Sequence, residues 1–208
     1  MSVFTKLNKA IYEGETDDVI ALVKEALDDG EDVNTIVNDG LVAAMNVVGA
    51  DFREGTLFIP EVICAADAMK VGLEELKPIM AANNTESLGT VVIGTVEGDV
   101  HDIGKNLVAI MFEGAGFTVY DIGVDNKPEA FVKAYEEYKP KFIALSALLS
   151  TTMPAMQRTV EAFAEAGYAK DVKILVGGAP INQEFCDKIG ADGYAGDAVS
   201  AVDLAKSM

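Results

Sequence analysis

Imidazole is nearly absent from this chain: its 208 residues include a single histidine, His101, so any imidazole chemistry must pass through one side chain. Thiols are almost as scarce. Cys64 and Cys186 stand far apart and outside any metal-type spacing, which argues against both a disulfide framework and a zinc site. Basic residues number 16 against 34 acidic ones, a formal charge of 16 − 34 = −18. That balance speaks against nucleic acid and against an anionic membrane surface, both of which call for a basic footprint. No run approaches the ~20 apolar residues of a membrane span, and Met1 to Asp17 alternates charged and apolar residues with no signal-peptide core. Half of the residues are hydrophobic, too many for a disordered chain and enough for a real core. The expectation is a soluble, cytoplasmic protein of one large domain or two small ones.

Two kinds of periodicity follow one another along the chain. From Val3 to Pro78 apolar residues recur at three and four, as in Ile20, Val23 and Ala26 or Leu41, Met45, Val48 and Phe52, which is helical spacing. Breaks at Glu13-Gly14, Asp28-Asp29-Gly30, Asn38-Asp39-Gly40 and Arg53-Glu54-Gly55 leave about four helices, with Pro60 near the start of the last. Short connections make this a small antiparallel bundle. The polar stretch from Ala81 to Ser87 reads as a linker, placing a helical domain at 1–85 and a second domain at 86–208. In the second, short β-branched or apolar runs occur at Thr90 to Gly94, Thr118 to Ile122, Phe142 to Ser146 and Lys173 to Val176, with a weaker one at Gly193 to Ala195. Helical stretches at Ile103 to Glu113, Pro128 to Tyr138, Thr152 to Ala166 and Asn182 to Ile189 separate them. The fold class is therefore α/β: a doubly wound, flavodoxin-like (Rossmann-like) five-stranded parallel sheet behind an N-terminal four-helix bundle.

The segment from Gly94 to Asn106, GTVEGDVHDIGKN, joins the first strand to the first helix of that domain, where doubly wound folds bind ligands. It is not a phosphate loop: five residues lie between Gly98 and Gly104, and Asn106 stands where a hydroxyl residue would hold magnesium. It lacks the GxGxxG fingerprint, and Asp99 and Asp102 would repel a pyrophosphate. Metal ligation by His101 remains, because a ligating imidazole gives its other N–H to a carboxylate and Asp99 and Asp102 both stand close enough in sequence to accept it. A lone histidine cannot hold a bare zinc or iron. The metal would have to arrive in a macrocycle, haem or a corrinoid; a capped or hydrogen-bonded loop histidine is the plain structural alternative.

Asp99-Val100-His101-Asp102-Ile103-Gly104 reads as DxHxxG, Ser146-Ala147-Leu148 follows the third strand as SxL, and Gly177-Gly178 follows the fourth. With these three motifs in order, the chain resembles, over nearly its whole length, the corrinoid (cobalamin-binding) proteins of methyltransferase systems and the cobalamin module of methionine synthase. The resemblance implies that His101 is the lower axial ligand of cobalt in a base-off/His-on cobalamin, with Asp99 and Thr152 completing a ligand relay; methionine synthase has serine at the last position, and a threonine hydroxyl makes the same bond. It further implies contacts to the cofactor from Gly98, Val100, Asp102, Ile103, Gly104, Ser146, Leu148, Ser150, Gly177, Gly178 and Ala198. Phe52, Ile59 and Val62 of the bundle match positions that cover the methyl-bearing face in the family, although helical spacing also fits them to ordinary packing.

What the resemblance implies for function is a methyl carrier. Such a protein is no enzyme by itself: Co(I) accepts a methyl group from a methylated substrate through a substrate-specific methyltransferase, giving methylcobalamin. A second methyltransferase, forming methyltetrahydrofolate or methyl-coenzyme M, then takes it. A reductive activase would rescue oxidised cobalt, and no nucleic acid or membrane partner is expected. A cobalamin-dependent sensor module is the alternative, disfavoured by the charge and by the lack of a helix-turn-helix segment. A radical mutase subunit would share the loop but lack the helical region.

Overall fold

The Ser2 hydroxyl accepts a hydrogen bond from Thr5 N at 3.2 Å and starts helix α1 (Val3–Glu13). Gly14, in the left-handed conformation, ends it and turns the chain into α2 (Thr16–Asp28). The computed structural model, which describes residues 2–83 and 87–208, then differs from the sequence expectation. No break falls at Asn38-Asp39-Gly40. Instead α3 (Val33–Thr35) passes into a π-helical stretch, Ile36–Val42, and on into α4 (Ala43–Arg53) as one continuous helix.

The reason lies in the spacing of the apolar residues. Buried positions come in pairs at 36 and 37, 40 and 41, 44 and 45, and 48 and 49, a repeat of four. On an ideal α-helix of 3.6 residues per turn such a repeat drifts about 40° around the axis each time. A π stretch takes one more residue into each hydrogen-bonded ring and cancels much of that drift. The Asn8 amide donates to the carbonyls of Asp39 and Gly40, at 3.1 and 2.6 Å, and so satisfies groups that the wider turns expose.

Helix α5 (Ile59–Asn83) begins with Phe58 N donating to the Glu61 carboxylate at 2.7 Å and runs through Pro78. Ala81 to Asn83, expected in the linker, are therefore helical, and residues 84–86 of the linker lie outside the described residues. Leu7, Ile11, Val19, Val23, Ile36, Leu41, Met45, Met69 and Leu76 fill the interior of this first unit. It comprises the chain to Ser87 with Glu113–Gly116, and the second unit comprises Leu88–Phe112 and Phe117–Met208.

The second unit is a five-stranded parallel sheet in the order β2-β1-β3-β4-β5. Its strands are β1 (Thr90–Thr95), β2 (Thr118–Asp121), β3 (Phe142–Ser146), β4 (Lys173–Gly177) and β5 (Gly193–Ala195). Helices α6 (Ile103–Gly114), α7 (Pro128–Tyr138), α8 (Met153–Glu165) and α9 (Gln183–Ile189) cross between them. A tenth, α10 (Ala198–Ser207), follows β5 and was not expected from the sequence; Asp197 and Ser200 close a capping box at its start. β1 and β3 are buried on both faces, as central parallel strands must be. Gly94 leaves room for Ile122 and Phe131, since a Cβ there would come within 2.7 and 2.9 Å of them.

Register fixes where function can sit. Thr95 pairs with Ser146, Ser146 with Gly177 and Gly177 with Ala195, so the strand ends form one row. The strand order reverses between β1 and β3, which puts the crevice beyond that row.

Candidate functional site

Beyond β1 the chain makes a tight loop held by one carboxylate. Asp99 is fully buried, and both of its oxygens are used. Oδ1 accepts from His101 N at 3.1 Å and from His101 Nδ1 at 2.7 Å. Oδ2 accepts from Thr152 Oγ1 at 2.8 Å, from Leu148 N at 2.8 Å and from Leu149 N at 3.3 Å. Two backbone amides from the loop after β3 and a hydroxyl preceding α8 thus meet a residue of the β1–α6 loop. Burial pushes the Asp99 carboxyl upward, but the donors from His101, Leu148 and Thr152 outweigh it and hold the group well below the ordinary carboxylate value.

An ionised carboxylate only accepts, so the Nδ1 of His101 donates. In the neutral ring this leaves Nε2 with the lone pair, and no described residue hydrogen-bonds it. The imidazole side chain is 47% exposed. The loops that meet at Asp99 carry large apolar side chains that the fold leaves in solvent: Val100 at 68% and Ile103 at 71%, with Leu148, Leu149 and Val124 also exposed. Singly these would need no explanation. Carried on the loops beyond the strand ends at a switch point, they make an apolar surface of the kind that ligand clefts present.

The loop is braced from the β2–α7 side as well. Asp125, a non-glycine residue at φ +55°, accepts from Gly98 N at 2.7 Å and donates its own N–H to the Asp99 carbonyl at 2.9 Å. Lys105, at the start of α6, is buried; its Nζ donates to Asn106 Oδ1 at 2.7 Å and to Asp121 Oδ2. The pair is asymmetric, because Asp121 reaches solvent and Lys105 does not. Asp121→Ala is therefore expected to strand a buried ammonium and cost about 1–3 kcal/mol. Lys105→Met, of similar volume, should cost less than about 1 kcal/mol, and urea unfolding of the two variants checks the order.

The residues singled out from sequence fall in several places. Asp99, His101 and Thr152 form one connected network, and Asp99, not Asp102, is the carboxylate on the ring; Asp102 instead gives its carbonyl to Asn106 N at 2.7 Å. Gly98 and Val100 lie in the same loop, Ile103 and Gly104 at the start of α6, and a Cβ at Gly104 would meet nothing beyond its chain neighbours and its own helix. Ser146 and Gly177 lie side by side at the strand ends, with Leu148 and Ser150 exposed in the loop after β3. Gly178 is required by the chain itself: at φ +129° a Cβ would lie 1.8 Å from the Ala147 carbonyl oxygen. Ala198 is buried at the first turn of α10. In the helical unit Phe52 is half-buried, Ile59 is exposed and Val62 is fully enclosed, while Phe58 and Ile63, not singled out, are exposed. Sequence reading also missed Leu149, Asp125 and the Lys105–Asp121 pair. For the lysine the only signal was its place in Gly-Lys-Asn at a helix start.

A doubly wound domain that presents an imidazole, oriented by a buried carboxylate, beside exposed apolar side chains suits a metal-bearing group. Comparison with known proteins identifies which. A family model described as a B12 binding domain matches residues 89–203, and a second B12 binding domain model matches residues 3–77. The chain is 44% identical to a corrinoid protein of Desulfitobacterium hafniense (strain Y51) over 211 residues, covering 100% of this chain and 98% of that one. It is 45% identical to dimethylamine corrinoid protein 1 of Methanosarcina acetivorans, covering 98% and 95%. Among solved structures, the methanol:cobalamin methyltransferase complex of Methanosarcina barkeri matches with a TM-score of 0.88 at 35% identity, covering 99% of this chain and 78% of that chain. A cobalamin-binding protein of Desulfitobacterium hafniense DCB-2 matches with a TM-score of 0.81 at 28% identity, covering 98% and 97%. The chain belongs to the B12-binding corrinoid proteins.

The residues present fit a corrinoid. Among the described residues no three His, Cys, Asp or Glu side chains converge on a metal-sized point. A metal held at His101 Nε2 would take its other ligands from a macrocycle. The exposed apolar side chains suit the face of a large ring, and the open space at Gly104 lets a ligand approach the backbone.

Proposed function

We propose that the chain is the methyl-carrying subunit of a corrinoid-dependent methyltransferase system, receiving a methyl group through one partner methyltransferase and releasing it to another. A bound corrinoid supplies a cobalt centre able to accept and give up a methyl group. The protein's residues hold and shield that centre. His101 Nε2 would hold the cobalt of a bound corrinoid in place of the cofactor's own base, the base-off/His-on reading. Asp99 keeps Nδ1 protonated and the ring in one orientation, which makes Nε2 the ligating nitrogen and strengthens it as a donor. Thr152 and the Leu148 and Leu149 amides hold Asp99 in turn. The Thr152 hydroxyl has one proton and two acceptors, Asp99 Oδ2 and the Leu149 carbonyl, each at 2.8 Å, and the anion is the stronger of the two.

Val100, Ile103, Leu148 and Leu149 exclude water from the lower face. Gly98, Asp102, Gly104, Ser146, Ser150 and Gly177 line the path for the displaced nucleotide tail, with Ala198 at the ring's edge. Within the helical unit, Phe52 and Ile59 offer apolar surface, while Val62, fully enclosed, has little of its own to offer. Donor specificity, for a methylated amine or methanol, resides in the first partner, and the acceptor, tetrahydrofolate or coenzyme M, in the second. A reductive activase would restore oxidised cobalt. Support comes from relatives named as methylamine corrinoid proteins and from the methanol:cobalamin methyltransferase complex.

The single observation that carries this reading is the lone imidazole with its Nδ1 on buried Asp99 and its Nε2 unpartnered beside exposed apolar side chains. The test follows an isotopically labelled methyl group from a methylated amine or methanol, with the cognate methyltransferase. Label should become protein-bound at one per chain and be discharged when the second methyltransferase and its acceptor are added. Acceptor methylation with no protein-bound stage would overturn the carrier reading.

A further inference from the structure

We propose that Thr95 is a positioning residue for His101, fixing the main chain from which the imidazole projects; this rests on the reading of His101 as the cobalt ligand. Thr95 is the last residue of β1 and is fully buried, a hydroxyl side chain just beyond the apolar run Val91 to Ile93. Its Oγ1 donates to the carbonyl oxygen of His101 at 2.9 Å, closing the loop of five residues between them. Thr95 is itself immobilised on both sides. Its N–H donates to the Gly123 carbonyl at 2.9 Å, and its carbonyl accepts from Asn126 N at 3.0 Å and Asn126 Nδ2 at 3.1 Å. The strand pairing with Ser146 adds a further anchor.

The consequence for His101 is geometric. Asp99 Oδ1 takes its N–H and its Nδ1–H, and Thr95 takes its C=O, so the residue is held before, at and after its Cα. Asp99 alone would leave the peptide plane after His101 free to turn, and with it the direction of Nε2. A ligand that must meet a metal at bonding distance is effective only when its orientation is settled before the metal arrives, because otherwise binding must also order the loop. The hydroxyl also has no better use in view: no other described group accepts from it, and a buried hydroxyl without a partner would be costly.

The test uses the isosteric pair of substitutions. Thr95→Val keeps shape and β-branching but removes the donor, whereas Thr95→Ser keeps the donor. His101 is the only histidine, so one set of imidazole signals in a long-range proton–nitrogen NMR spectrum of the full-length apoprotein reports its tautomer and surroundings without overlap. The expected result is that Thr95→Val moves these signals away from the Nδ1–H pattern, and that Thr95→Ser restores them. After loading with hydroxocobalamin, Thr95→Val should raise the His-off fraction in the visible spectrum about two- to tenfold, the range a single net hydrogen bond spans. Wild-type imidazole signals in Thr95→Val, in a protein that unfolds at the wild-type temperature, would overturn the proposal whatever the cofactor does. If the signals move as expected while His101→Ala leaves the cobalamin spectrum at wild type, the positioning role stands and the axial-ligand reading falls.

Discussion

Asp99→Ala is expected to destabilise the α/β unit by about 3 kcal/mol or more, measured as a shift in the urea midpoint, and to leave the loop carrying His101 unsettled. The size follows from what the carboxylate satisfies. Five donors converge on it from two stretches of chain, His101 and the loop from Leu148 to Thr152, and it is fully buried. Removing an acceptor of this kind leaves buried N–H and O–H groups unpaired, and bonds to a charged partner are worth about 1.5–3 kcal/mol each when lost singly. Asp99→Asn should retain part of the stability but not the function. An amide offers one acceptor oxygen and one donor nitrogen, so it can satisfy either the His101 side or the Leu148–Thr152 side, not both.

The same group sets a pH dependence whose sign is fixed. Its folded-state pKa lies below the ordinary value of 3.8, so its contribution is fully present above about pH 4–5 and is lost as pH falls through the folded value. The gap in stability between wild type and Asp99→Ala should therefore narrow between pH 7 and pH 3. A gap that stayed constant would mean that the carboxylate is not charged, or not paired, in the native state.

Gly178→Ala should be the most damaging single methyl in the sheet domain. The new Cβ would lie 1.8 Å from the Ala147 carbonyl oxygen and 2.8 Å from its carbon, both backbone atoms that no rotamer change can move aside. The residue is also at φ +129°, where side chains are strained whatever the space. Overpacking and backbone strain together predict a loss of about 3 kcal/mol or more. The displaced partner is Ala147, whose next two residues give their amides to Asp99, so cobalamin binding should weaken beyond what lost stability explains. Gly104→Ala is the contrast: beyond its chain neighbours and its own helix backbone nothing lies within 4 Å of its Cβ position, so the apoprotein should be as stable as wild type within about 0.5 kcal/mol. If Gly104→Ala weakened cobalamin binding all the same, the methyl would be meeting the ligand.

Much of this was legible in the sequence because the α/β half obeys simple periodicities. Strands of a parallel sheet read as short β-branched or apolar runs, and all five are bounded by the structure within one residue of where the runs begin and end. The pairing of Asp99 with His101 was legible because an aspartate two residues before a histidine can reach both its N–H and its ring. The link to Thr152 came only with the family resemblance, since it joins residues 53 apart in the chain.

Other features left weaker traces. Asn38-Asp39-Gly40 has the composition of a turn, yet the four-residue apolar repeat on either side overrides it and winds the helix wider. Thr95 ends a strand in which threonine is an ordinary choice, so nothing local shows that its hydroxyl is given to the His101 carbonyl. Gly178 looks like a glycine kept small for a ligand, and its demand comes from a neighbouring strand's loop. The helix after Asp197 was missed although its capping box was written in the sequence, because a three-residue β5 gave little warning that another crossover partner followed.

Whether His101 Nε2 binds cobalt is decided by electron paramagnetic resonance of the Co(II) state in protein carrying nitrogen-15 histidine. With one histidine in the chain, the isotope labels a single candidate ligand. Each axial line, a triplet in unlabelled protein, is expected to become a doublet on labelling. A triplet that survives labelling would assign the axial nitrogen to the cofactor's own base and would contradict ligation by His101.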